Sequence, residues 1–530
     1  MKRRDFIRNA APVIAAPALL NGYTVKAFGA SPFLDALTAA TANTDHVVVM
    51  IQLSGGNDGL NMVIPLDQYG NLANARSNIL IPSNKVLPLT GTTATGLHPS
   101  MTGLQSMYNN GKVKIVQGVS YPSPSFSHFR ATDIWTSASD SNQSLNTGWM
   151  GRYLGTEYPN FPSGYPNATM PDPLAIQIGS SVSPAFMGPA VSMGMAISNP
   201  NSFYNIVNNV QDTADLSKPW GKELSYVRTV AKQTQAYLSV IKTAAQSVTG
   251  QLTYPTNNRL ADQLKIVAQL IKGGLKTRMY LVSIGGFDTH SAQVDPTDFT
   301  KGAHANLMLQ LSDAIKAFTD DCQNLGVGDR VVGMTFSEFG RRIKSNASGG
   351  TDHGSAAPLF VFGNKVDGGK LVGNNPTIAG TVSVNDNVPM QYDFRSVYST
   401  LLSHWLCVKP SDLNTIMLKN FQDLGLIKSS ASCMPTGIHE ANQKAGINLI
   451  SNYPNPFVSS TTITFTTEGG HTMVQIFDMM GREITTLVNR EYEAGTYTAW
   501  LDATGLAPGN YYARLQNGFN QQVRNMSIVR

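Results

Sequence analysis

His46-Val47-Val48-Val49-Met50-Ile51-Gln52-Leu53 runs directly into Ser54-Gly55-Gly56-Asn57-Asp58-Gly59. The first segment is a nearly continuous β-rich apolar run, and the second is a glycine-bearing turn. A strand that is apolar on both faces has to be covered on both. This is the habit of a mostly parallel sheet with helices flanking it. In such open sheets ligands bind just outside the carboxyl ends of the strands, so the residues that follow Leu53 matter as much as the run itself.

Three further segments repeat the pattern. Lys112–Val119 leads to Tyr121-Pro122-Ser123-Pro124-Ser125-Phe126-Ser127-His128. Arg278–Ile284 leads to Gly285-Gly286-Phe287-Asp288-Thr289-His290, and Arg330–Phe336 leads to Ser337-Glu338-Phe339-Gly340-Arg341-Arg342 and then Thr351-Asp352-His353-Gly354. If the four strands share a sheet, Asp58, Ser127, His128, Asp288, His290, Glu338, Asp352 and His353 arrive at one edge of it. Mixed carboxylates and imidazoles suit a divalent Zn, Mn or Fe ion, and Zn or Mn is the expected cofactor, as one or two ions. No cysteine lies in these motifs, which argues against a structural zinc site.

Each motif also has a plainer reading. Asp58 can serve only its turn, and the loop lacks the Gly-Lys-Ser/Thr ending of a phosphate-binding P-loop. Asp288 and His290, two residues apart, share one face of an extended backbone. Glu338 can pair with Arg341 or Arg342, and Asp352-His353 lies between glycines in a turn-like setting. His98, His304 and His404 fall on or beside helices and are read as structural or as supports behind the site residues.

The 530 residues are 42% hydrophobic and only 14% charged, with a net charge of +5. This length suggests more than one domain. Lys2, Arg3, Arg4, Arg8 and Lys26 against Asp5 place +4 of that charge in the first 29 residues, which leaves +1 for the remainder. No basic run tracks a phosphate backbone, so nucleic acid is excluded as a partner. Cys322 fits an apolar helical stripe with Met308, Leu311, Ile315, Phe318 and Leu325 and reads as a buried thiol. If any cysteines pair, Cys407 and Cys433 are the expected two, since both follow the last motif-bearing stretch.

The two ends read as targeting segments. Residues 1–29 carry a charged start, a short apolar run from Ala10 to Leu20 and small residues near Ala27 and Gly29, as in a cleaved signal peptide. The run is too short to span a bilayer, and no transmembrane segment is expected in the mature protein. Arg3-Arg4-Asp5-Phe6-Ile7 resembles the twin-arginine export signal, with Lys2 where Ser or Thr is usual. Residues 436–451 read as a linker. From Asn452 to the end, the alternating segments Thr461–Thr466, Thr472–Phe477, Thr496–Leu501 and Asn510–Leu515 suggest a small antiparallel β-sandwich. Tyr453-Pro454-Asn455-Pro456-Phe457 and Gly505-Leu506-Ala507-Pro508-Gly509-Asn510-Tyr511 resemble the C-terminal sorting domain of type IX secretion cargo. The resemblance implies the type IX secretion machinery as a partner, reached through residues 452–530. It also implies passage through the periplasm to the cell surface or the extracellular space.

The central 30–435 region carries a second resemblance. Gly55-Gly56-Asn57-Asp58-Gly59-Leu60-Asn61, Ser127-His128-Phe129, Gly286-Phe287-Asp288-Thr289-His290, Ser337-Glu338-Phe339-Gly340-Arg341 and Thr351-Asp352-His353-Gly354 occur in order. Together they resemble the exported bacterial family known as domain of unknown function 1501, over residues 45 to 425. That family is grouped with the alkaline phosphatase-like fold. The grouping implies metal ligation by Asp58, by Asp288 with His290, by Glu338 and by His353, with Asp352 ligating or orienting His353.

The same resemblance implies Ser127, or Ser125, as a nucleophile just before a helix that begins near His128. The close spacing of Asp288 and His290, and Phe339 after Glu338, depart from the phosphatase pattern and leave a one-ion site or a non-catalytic variant open. No C/S-x-P-x-R frame occurs, which disfavours sulfatase maturation chemistry. The implied activity is hydrolysis of a phosphoester or related small anionic ester. The alternative is a cell-surface binding protein on the same fold.

Overall fold

The structure is a computed structural model. It describes residues 44–200, 234, 236–433, 448–479, 482–517 and 520–529, together with the short antiparallel pair Ala18–Leu20 and Tyr23–Val25. The expected signal peptide otherwise lies outside the described residues, as does most of the expected linker. The chain divides into two compact units, Met1–Cys433 and Met434–Arg530.

The first unit is built on a nine-stranded sheet. In chain order its strands are β1 (Val47–Ser54), β2 (Val113–Ser120), β3 (Ala175–Ile178), β4 (Gly194–Ile197), β5 (Met279–Gly285), β6 (Val331–Phe336), β7 (Ala357–Phe362), β8 (Lys370–Val372) and β9 (Tyr392–Asp393). They lie in the order β8-β2-β7-β6-β1-β5-β3-β4, with β9 also paired to β2. β1 is central and runs parallel to both neighbours, with Ile284 opposite Leu53 on one side and Phe336 opposite Gln52 on the other. Only β7 runs against the rest, pairing antiparallel with β6 and with β2. The four motif-bearing strands β1, β2, β5 and β6 are therefore co-directional, and all four end at one edge.

Burial follows the alternation in β1. Val47, Val49, Ile51 and Leu53 enter a core with helices α1 (Thr102–Asn109), α4 (Arg259–Lys272) and α5 (Ala303–Asn324). Val48 and Met50 enter a second core on the opposite face, with α2 (His128–Ser137), α3 (Trp149–Glu157), α6 (Phe394–His404) and α7 (Pro410–Met417). Each such side chain, fully buried, contributes about 1.5–3 kcal/mol, and this explains why the run tolerates no charge. The stripe on α5 is as the spacing predicts: Met308, Leu311, Ile315, Phe318 and Cys322 are all buried, and Cys322 is a free thiol. Cys407 and Cys433 form a disulfide.

In the second unit a five-stranded antiparallel sheet folds over a core that includes Phe457, Ile463, Phe465, Val474 and Leu515. Its first strand begins at Asn448, inside the stretch read as linker. The segments Thr461–Thr466 and Thr472–Phe477 are parts of one strand, Ser460–Phe477, and Thr496–Leu501 belongs to Glu483–Asp502. Gly469 and Gly470 look like a turn in the sequence. Instead they stay in the ladder opposite Glu493 and Tyr492.

Candidate functional site

Beyond the edge where β1, β5 and β6 end, the loops are locked together by one side chain. Arg341 is fully buried. Its Nε donates to the carbonyl of Gly56 at 2.6 Å, its Nη1 to that of Thr351 at 2.7 Å, and its Nη2 to that of Phe287 at 3.1 Å and to that of Gly55. Nη2 also donates to Asp288 Oδ1 at 2.6 Å. The loop after β1 passes so close to the loop after β5 that a Cβ on Gly55 would stand 2.3 Å from the backbone nitrogen of Asp288, with φ at +125°. Gly55→Ala is therefore expected to push the two loops apart and lower the melting temperature measurably. Alanine at exposed Gly70, where a Cβ would meet nothing within 4 Å, should not.

Around Asp288 Oδ1 the imidazoles are arranged by what their outer nitrogens bond. His128 Nδ1 lies 2.8 Å from Glu338 Oε1, His290 Nδ1 lies 3.2 Å from Asp352 Oδ1, and His353 Nδ1 lies 2.8 Å from the carbonyl of Phe126. Each of these partners only accepts, so each Nδ1 carries the hydrogen and each Nε2 keeps a lone pair. All three Nε2 atoms turn inward. They lie 3.6, 3.1 and 3.2 Å from Asp288 Oδ1 for His128, His290 and His353, and the His290 and His353 Nε2 atoms are 2.9 Å apart. The ligand atoms of His128, Asp288 and His353 all lie within 4.8 Å of one another, and His290 Nε2 lies against the last two.

Two carboxylates act on this cluster through the rings they hold. Glu338, buried, accepts from the Gly55 backbone at 2.9 Å and from His128, so it orients an imidazole and fixes a loop. Asp352 holds His290, the partner other than His353, with Asn346 donating to the same oxygen at 3.1 Å. Burial opposes the charge on Asp288. The bond from Arg341 and its charge outweigh it and bring the pKa to about 2. Burial lowers that of His353.

Asp58 stands apart from the cluster. It is buried, with Arg76 Nη1 at 2.9 and 2.8 Å from its two oxygens and Gln293 Nε2 at 2.6 Å from the second. Gln293 also accepts from Thr289 and Thr351, so Asp58 anchors the floor beneath the site. Burial works against its charge, but Arg76 and His304 hold the carboxyl below the usual range. Ser127 is the N-cap of α2, exposed, and its side chain makes no capping bond. The helix starts at His128, as expected. Ser125 Oγ accepts from the Ser127 backbone at 3.3 Å.

His98 and His304 are buried beside this floor, and His404 pairs with Asp423 at 3.3 Å. Arg341 carries the most bonds here, yet the sequence offers it only as one partner for Glu338. Its place at the end of the Ser337–Gly340 motif was the available signal. Gln293 has none.

This is an α/β protein with a histidine–carboxylate cluster at the strand ends and a β-rich C-terminal unit. The chain belongs to the family described as "Protein of unknown function (DUF1501)", which it matches over residues 45–402, and it ends in a secretion system C-terminal sorting domain over residues 451–529. That tail directs export by the type IX route to the cell surface or the extracellular space. Among the described residues no helix is long and apolar enough to cross a membrane.

No curated protein sequence matches the chain. Among solved structures, it is similar to the PsFucS1 sulfatase from Pseudoalteromonas sp. at 10% identity, covering 90% of this chain and 89% of that one with a TM-score of 0.32. An alkaline phosphatase superfamily protein from Vibrio parahaemolyticus gives 9% identity, 89% and 88% coverage and a TM-score of 0.31. PorZ, a type IX secretion surface component of Porphyromonas gingivalis, matches at 19% identity over 20% of this chain and 14% of its own length, with a TM-score of 0.13.

Proposed function

We propose that the protein is a metal-dependent hydrolase of phosphoesters or related anionic esters acting outside the inner membrane. The observation that carries the reading is the inward convergence of three imidazole lone pairs and one carboxylate oxygen. Acceptors repel one another unless a cation lies between them. Ligands about 2.0–2.1 Å from a tetrahedral ion stand roughly 3.3–3.4 Å from each other, and the four Nε2-to-Asp288 and Nε2-to-Nε2 separations run from 2.9 to 3.6 Å. The outward Nδ1–H bonds to Glu338, Asp352 and a carbonyl are those that orient metal-bound histidines.

His128, His290, His353 and Asp288 would hold the ion. Asp288, Glu338 and Asp352 with Arg341 and Arg342 sum to −1, which suits one divalent ion better than two. Three nitrogens and one oxygen favour Zn. Bound there, such an ion would act as a Lewis acid on the ester. Arg342 and the free N–H groups at the start of α2 provide positive potential for the anion. Ser127 places its hydroxyl at that same helix start and is the nucleophile in this reading. Glu338 keeps the His128 ring turned inward.

Metal analysis of protein purified without chelators tests the proposal. About one ion per chain is expected, lost in Asp288→Asn and in His353→Ala while the fold persists. Ser127→Ala should keep the ion and lose turnover in a phosphoester and sulfate-ester screen. Protein free of divalent metal would overturn the reading. An ion retained with no turnover on any ester would turn it toward a binding protein.

A further inference from the structure

A second group of metal-binding side chains lies at the far end of the sheet. His46 immediately precedes β1, at the edge opposite the one where the motif loops meet. Its ring stacks on the Trp405 indole with centroids 3.8 Å apart and planes within 4°, and its Nδ1 lies 2.7 Å from the Trp405 carbonyl oxygen. Trp405 follows the last residue of α6, is fully buried, and donates from Nε1 to the Val47 carbonyl at 3.0 Å. The imidazole is thus held between the start of β1 and the end of α6.

The same carbonyl gathers the two paired cysteines. Cys407 Sγ lies 3.8 Å and Cys433 Sγ 3.4 Å from the Trp405 oxygen. The two sulfurs and a ring nitrogen of His46 all lie within 4.8 Å of one another, and all three residues are partly accessible. The Cys433 backbone N–H also bonds the His404 carbonyl at 3.0 Å, so a main-chain bond as well as the disulfide keeps Cys433 in place. Joined as a disulfide, the sulfurs offer a cation no charge. Separated into thiolates, they complete a set of two sulfurs and one nitrogen, a mixture that suits Zn.

We propose that His46, Cys407 and Cys433 form a redox-gated site for a thiophilic divalent cation such as Zn, separate from the histidine–aspartate cluster and independent of the ester reading. The opening step is exchange with a dithiol reductant. The Cys407–Cys433 S–S bond breaks, the reductant's two thiols join as a disulfide, and each cysteine gains one of their hydrogens. On binding, both cysteine protons leave to solvent, and two thiolates with one neutral imidazole take the ion. Two negative sulfurs then balance its +2 charge. A chain exported to the cell surface or beyond is made in a reducing compartment and ends in an oxidising one. The site is therefore open early in the life of the protein and closed by the disulfide outside the cell.

Titration with Cd, whose bonds to thiolate absorb in the ultraviolet, provides the test. Full-length protein is reduced with dithiothreitol and freed of reductant under argon before Cd is added. One thiolate-bearing site per chain is expected, and none in protein that was never reduced. The histidine–aspartate cluster holds no sulfur, so Asp288→Asn should leave the band unchanged. The remaining thiol, Cys322, is buried in the core. Cys433→Ser should remove the site. His46→Gln should weaken Cd binding by more than about ten-fold, since even the partners behind a metal ligand are worth that much. Bound Cd should also slow re-formation of the disulfide by oxidised glutathione. Three results would each overturn the proposal: no band in the reduced wild type, a disulfide that dithiothreitol cannot open in the folded chain, or loss of the fold on reduction, seen by circular dichroism. Full affinity in His46→Gln would overturn it as well, leaving a bare dithiol.

Discussion

Arg341→Met is expected to destabilise the first unit by roughly 4 kcal/mol or more. Its partner Asp288 is about half exposed, so the ion pair itself adds no more than about 1 kcal/mol, but this side chain also serves the buried carbonyls of Gly55, Gly56, Phe287 and Thr351. Each buried acceptor left without a donor adds about 1–3 kcal/mol, less where the loops relax enough to admit water. Lysine should recover little of this, because one ammonium cannot reproduce a planar fork reaching three loops. Urea unfolding of the wild type and both variants measures the effect. His353→Ala is the control: it removes an inward nitrogen that the packing does not need, so it should cost far less. A stable, fully folded Arg341→Met protein would show that the loops hold without the hub.

The second large effect is acid sensitivity that begins well above the carboxylate range. Burial, with the nearby charge of His304, lowers His98 to about 3 against an ordinary 6.5. Burial likewise takes His304 to about 4, even though Asp58 pulls the other way. Both are neutral in the folded protein while their unfolded counterparts take up protons below pH 6.5. The unfolded state therefore binds more protons in that window, and stability falls as pH drops from 6.5 toward 4. At about 1.4 kcal/mol for each unit by which a pKa differs, the pair together should remove several kcal/mol.

Asp58 adds a later loss. Its depressed folded value means that its contribution, intact above its unfolded 3.8, disappears as pH falls through the folded value. Urea midpoints from pH 7 to pH 4 should slope downward, and His304→Gln should flatten the slope. A flat wild-type profile would contradict the buried neutral state of these rings.

How much of this was legible depends on whether a feature is local. The four strand ends were readable because each apolar run stops where polar motif residues begin, and β1 alone fixes two covered faces. Direction was not readable for Ala357–Phe362, since an apolar run looks the same in either sense. The chain stays at the site edge from Phe336 to Ala357, which keeps His353 there and makes the next strand run back. Asp58 looked like its neighbours in motif, yet Arg76, eighteen residues on, captures its carboxylate in the interior. Nothing in a glycine-rich loop announces such a partner. Glu338 and Asp352 carried the right chemistry, but which imidazole each one orients is a matter of angles set by the loops. In the tail, paired glycines suggested turns, while the ladder on both sides kept the strand going.

The floor of the site bears on how the molecule can move. Phe287 bonds back to Ser54, Thr351 to Thr289, Gln293 to Gly349 and Gly354 to Gly340, all main chain to main chain. With Arg341 passing beneath, these segments form one cooperative unit, so none can open without the others. Their amide hydrogens should exchange with solvent together and slowly. Independent movement then falls to segments outside this unit, such as 383–387, which Arg342 ties down through the Val384 carbonyl and the Asn385 side chain.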